Sequence, residues 1–193
     1  MASAINDCRP GQSLRTHLRA ATMAAHDLLD HAMQAASGWQ TRADYARFLS
    51  LQHAARAPLE GWLAAHAPAG LVPPPQTELI ARDLAQLGLP APAPAPLFTI
   101  GRPAPGSALG IAWVMAGSAL GNKAIAKQVA RIGGGAWPVA FLADDGAMAF
   151  WQGLRARIER PAAPAEAEGA TRAAEAVFAH FLAAAAAPEG VPA

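Results

Sequence analysis

Ser13-Leu-Arg-Thr-His-Leu-Arg19-Ala-Ala-Thr-Met-Ala-Ala-His26-Asp-Leu-Leu-Asp30 has the spacing of an amphipathic helix. A helix completes a turn in about 3.6 residues. Arg19, His26 and Asp30, seven and then four residues apart, therefore share one face. An imidazole there can ligate a metal, and a carboxylate one turn on can hold its other ring nitrogen. A guanidinium about 10 Å back along the axis can grip an anion. A flat, metal-centred anion needs those three groups. The plainer reading is a histidine at the edge of an amphipathic helix, with solvated charges around it.

Outward from this stretch the pattern is helix after helix. The first runs from about Ser13 to Ala36 and is stopped by Ser37-Gly38. Thr41-Arg-Ala-Asp44 is a capping-box start for a second, reaching about His66, which Pro58 is expected to kink or interrupt. After Pro73-Pro74-Pro75 a short helix spans Gln76 to Leu87, closed by Gly88. Leu89 to Gly106, with six prolines, is a connector. A fourth helix covers about Ser107 to Ile132 and ends at three glycines, followed by the short apolar loop Trp137 to Ala143. Asp144 or Asp145 caps a fifth helix reaching Arg160, Pro161 and Pro164 break it, and Glu166 to Ala187 forms the last. No alternating strand pattern of useful length appears, so the fold class is all-α, in one domain.

The bulk properties narrow the function. At 193 residues the chain suits a single domain with a substantial core. A formal net charge of +1 gives no field for nucleic acid or an anionic membrane. Cys8 is the single cysteine, which rules out a disulfide framework and a cysteine metal cluster and suits a reducing cytoplasm. Residues 1–11 lack a basic region followed by an apolar core, so no export signal is expected. The most apolar window, Ala108 to Ala119, falls short of the ~20 residues of a membrane span.

Three further features are candidates for chemistry. The fourth helix reads Gly110-Ile-Ala-Trp113-Val-Met-Ala-Gly117-Ser118-Ala-Leu-Gly121-Asn122-Lys123. Interior glycines each cost a helix about 1 kcal/mol relative to alanine. Their presence means tight packing through small residues, or a helix that bends over a flat ligand and leaves Ser118 near it. Arg155 sits in the last half of the fifth helix, where it serves the helix dipole or meets an acidic ligand group. Glu60 is a lone surface charge or a partner to Arg56. There is no two-histidine zinc spacing and no repeated Glu-x-x-His for a di-iron site.

Four stretches resemble the haem oxygenase family, particularly the bacterial biliverdin-producing type associated with bacteriophytochromes. Leu18 to Asp30 is similar to the proximal helix, and Asp44-Tyr-Ala-Arg-Phe48-Leu with Pro58-Leu-Glu60 to the second. Gly110 to Gly121 is similar to the glycine-rich distal helix, and Phe150-Trp151 with Ala176, Phe178 and Phe181 to the C-terminal end. The resemblance spans roughly Leu14 to Leu182. It implies a single-domain haem oxygenase-like helical bundle over 13–187, with a disordered segment at 1–12 and a tail at 188–193. His26 would be the haem-iron ligand, Asp30 its supporting carboxylate, and Arg19 and Arg155 the propionate contacts. Gly117, Ser118 and Gly121 would form the catalytic distal wall. Trp113 and Ala116 stand where that branch often has tyrosine and glutamate.

The activity implied is cleavage of haem, with O2 and external electrons, to biliverdin, CO and ferrous iron. The chain has no flavin, nicotinamide or iron–sulfur motif, so a ferredoxin or reductase is the expected donor. A bacteriophytochrome is the expected recipient of biliverdin. Neither nucleic acid nor membrane is expected as a partner. A haem carrier or sensor on the same fold is the alternative, and a helical scaffold that binds no haem is a third reading.

Overall fold

The computed structural model describes residues 11–37 and 40–186. It contains α1 (Leu14–Ser37), α2 (Arg42–His66), α3 (Thr77–Gln86), α4 (Ser107–Ile132), α5 (Asp145–Ile158) and α6 (Pro164–Ala186). A 3₁₀ turn at Ala69–Leu71, not foreseen from the sequence, leads from α2 toward α3. Among the described residues there is no strand. Gly38, Cys8, all but the last two residues of the 1–12 segment, and the 188–193 tail lie outside the described residues.

Local chemistry sets the helix ends. Thr41 accepts from Asp44 N through its hydroxyl, while the Asp44 carboxylate accepts from Thr41 N at 2.8 Å. That is a complete capping box. Gly88, at φ 74°, lets α3 end with Gly88 N donating to Ala85 O and Leu89 N to Leu84 O, the paired bonds of a Schellman motif. Of the two candidate aspartates, Asp144 caps α5, accepting from Gly146 N and Ala147 N. Pro164 opens α6, where a missing N–H leaves no intrahelical bond unmade.

Pro58 does not interrupt α2, which runs through it unbroken. A proline leaves the carbonyl four residues earlier without its donor. Here that carbonyl, Ala54 O, accepts from Ala95 N of the connector at 2.9 Å. The neighbouring Ala55 O accepts from His180 Nε2 of α6 at 3.0 Å. The Pro/Ala-rich stretch thus supplies the bond that Pro58 removes.

α6 is the floor of the bundle. Both α1 and α4 pack along it, while α1 and α4 approach each other at almost no point. One apolar cluster joins Leu14 and Leu18 of α1, Ala112 and Ala116 of α4, Trp151 and Leu154 of α5, and Ala170 and Ala174 of α6. A second cluster joins α2, α3 and the 137–143 loop, which is pinned by two bonds to the fully buried Asp83, from Ala140 N and Phe141 N.

Candidate functional site

On α1 the structure places Arg19, Met23, His26 and Asp30 on one exposed face. The His26 side chain is 58% exposed. Its Nδ1 lies 3.3 Å from Asp30 Oδ2 and 3.9 Å from Asp27 Oδ1. Its ring meets the edge of buried Phe178 of α6 at 6.1 Å between centroids, with the planes at 68°. A carboxylate on Nδ1 favours the tautomer whose Nε2 lone pair is free. No described residue hydrogen-bonds Nε2. Met23, 56% exposed in the middle of this face, was not singled out in the sequence. Its place between Arg19 and His26 at helical spacing was the available signal.

The glycines of α4 divide into two kinds. At Gly110 a Cβ would collide with the Ala170 carbonyl of α6, and on α6 itself one at Gly169 would collide with the Pro105 carbonyl just before α4. Tight helix packing is the explanation there. At Gly121 a Cβ would meet nothing within 4 Å, and at Gly117 only the Trp151 ring at 3.6 Å. Packing does not require glycine at either position. α4 continues through them without a break, so the expected bend leaves no interruption in the helix. The glycines instead leave bare backbone beside Leu120, which is 54% exposed.

Ser118 faces inward from this strip. Its Oγ donates to Met115 O and accepts from Arg56 Nη2, each at 2.8 Å. Arg56, only 2% exposed, also donates from Nε to Gln52 Oε1 at 2.9 Å, and it lies over the Phe141 and Phe181 rings at 5.1 and 6.0 Å. Burial lowers its pKa to about 10, while Glu60 acts in the opposite direction, so it remains a cation at neutral pH. No described carboxylate lies within ion-pair distance. Glu60 is neither a lone surface charge nor an ion-pair partner of Arg56. It accepts from Gln76 N, Thr77 N and Thr77 Oγ1, capping α3, where the helix dipole favours a negative charge. Gln52 and Arg56, four residues apart on a helix with an otherwise apolar inner face, were the missed signal.

Arg155 is half exposed, and its Nη2 lies 3.8 Å from Glu159 on its own helix. Glu159 also binds Arg15 of α1, so Arg155 is tied to the start of α1 through a shared carboxylate. Arg19, one turn beyond Arg15, has no ion-pair partner among the described residues. The arginines of this end are thus under-neutralised. A cavity of about 500 Å³ lies elsewhere, between Trp62, His66, Leu71 and the N-terminus of α4. The His26 site is an exposed face, and the cavity does not include it.

The chain is a single all-helical domain with α1 and α4 set on a common helix, and its fold is haem oxygenase-like by comparison with a known structure. Among solved structures the chain is similar to the heme oxygenase of Neisseria meningitidis, whose NO- and CO-bound forms are known. The TM-score is 0.64 at 22% identity, covering 93% of this chain and 98% of that one. No family model and no curated protein matches the chain.

Proposed function

We propose that the protein binds haem between the His26 face of α1 and the Gly117–Gly121 strip of α4. There it acts as a haem oxygenase, opening haem with O2 and external electrons to biliverdin, CO and ferrous iron. His26 carries the proposal: in a haem oxygenase-like fold, its Nδ1 is held by Asp30 and its Nε2 is free. Haem would need a single protein side chain on its iron, and His26 would supply it.

Haem, as substrate and cofactor, supplies the oxygen chemistry itself. The chain binds, orients and handles protons. Asp30 fixes the imidazole, and Met23 and Leu120 offer apolar contact to a macrocycle. Arg19 and Arg155 meet its propionates, with Glu159 loosening its hold on Arg155. Gly117 and Gly121 bring backbone, free of side-chain bulk, to the opposite side. Ser118 has its proton on Met115 O and Arg56 on its oxygen, so it holds the strip in place and protons reach the site from water. Electrons come from a ferredoxin or reductase. A bacteriophytochrome is the expected recipient of biliverdin, on the strength of the sequence resemblance.

A haem carrier on the same fold is the second reading. It is favoured by the state of Ser118, whose hydroxyl is already engaged by Met115 O and Arg56 Nη2. Hemin and ascorbate under air separate the readings. A Soret band that decays into a biliverdin spectrum supports the enzyme, a stable Soret band supports the carrier, and no Soret band rejects both.

A further inference from the structure

Arg56 is a buried cation with no carboxylate among the described residues within ion-pair distance, Glu60 acting on it only through space. Its guanidinium is enclosed by Phe141 and Phe181, and both of its side-chain acceptors, Gln52 and Ser118, are neutral. Burying an ion costs several kcal/mol when no opposite charge is paired with it, and a surface arginine or a buried apolar residue would avoid that cost. Glu60, the acid that acts on it, is committed to the N-terminus of α3. The guanidinium is also directed: Nη2 reaches across from α2 to the hydroxyl of Ser118, next to Gly117 on the bare strip of α4.

We infer that Arg56 is a positioning residue that holds a fixed positive potential behind the Gly117–Gly121 strip, so that the face of α4 favours an anionic ligand over a neutral one. This rests on the haem reading of the site. A buried cation without an ion-pair partner then has a use: negative charge arriving at this face with reducing electrons or with an anion meets a field already in place. Leaving the charge unpaired costs stability, and a carboxylate partner would cancel the field.

The test is ligand selectivity of the ferric hemin complex of the full chain at constant pH, with azide as the anion and imidazole as the neutral ligand. At an effective dielectric of about 20, a unit charge about 12 Å away alters an anion's affinity by about tenfold. In Arg56→Gln the azide Kd is expected to rise about tenfold, with the imidazole Kd within about twofold of wild type. Arg56→Lys keeps the charge and retains most of the azide affinity. Gln52→Glu places a carboxylate on Nε without emptying the core. It is expected to raise the melting temperature while weakening azide as Arg56→Gln does, so the proposal stays testable if Arg56→Gln fails to fold. Equal shifts for azide and imidazole, or a Gln52→Glu variant with unchanged azide affinity, overturn the inference while leaving the haem reading intact. A wild-type protein that gives no Soret band overturns both.

Discussion

His26 and Gly121 are both exposed, with His26 meeting the core only at the edge of Phe178, which makes them clean probes of the site. His26 is largely exposed, so His26→Ala is expected to change stability by no more than about 0.5 kcal/mol. It should nonetheless abolish the axial-histidine signature of a hemin complex. An unchanged spectrum rejects His26 as the ligand. Gly121→Leu separates two effects by sign. With open space beyond its Cβ position, a side chain there should stabilise the helix by up to about 1 kcal/mol, measured by urea unfolding. The same side chain should weaken hemin binding at least tenfold. If hemin affinity is unchanged, the glycine has no part in a ligand wall. Arg56 teaches the complementary lesson. A charged residue in a helix is ordinarily read as solvated, and its burial depends on Ser118, a residue on another helix that spacing alone cannot bring near.

At the scale of the element, punctuation made the helices legible and tertiary contact made the exceptions. The capping box at Thr41, the glycine after α3 and the aspartate before α5 are each completed within a few residues, so the sequence contains the whole motif. The outcome at Pro58 is different, because the compensating N–H comes from Ala95 in a stretch that reads as a mere connector. Ala95→Pro deletes that donor and is expected to cost about 1–3 kcal/mol by leaving Ala54 O unpaired. An unchanged denaturation midpoint would show that water replaces it. On α4, Gly110 and Gly121 looked alike in sequence, yet only Gly110 meets another backbone. Gly110→Ala should destabilise the fold by about 1–3 kcal/mol through overpacking, the opposite sign to the Gly121 substitution.

For the whole molecule, His53 and His180 link stability to pH. Burial, the first cause in each case, holds both below the ordinary value of 6.5, with Glu60 opposing at His53 and the Ala55 carbonyl at His180. The unfolded chain therefore takes up these protons first. Their contribution to stability is complete above about pH 6.5 and is lost as pH falls through the lower folded values. The melting temperature is expected to drop between pH 7.5 and 5, and His180→Gln should flatten that slope. A profile identical to wild type would remove His180 as a contributor. α1 and α4 both rest along α6, and α1 is further tied down by Arg15 on Glu159, by Leu14 N on Arg160 O and by His17 on Thr171. α6 therefore acts as the ruler of the bundle: in the proposed haem reading, a substitution at Ala170, whose carbonyl lies against Gly110, would reset the spacing of the two faces without touching either of them.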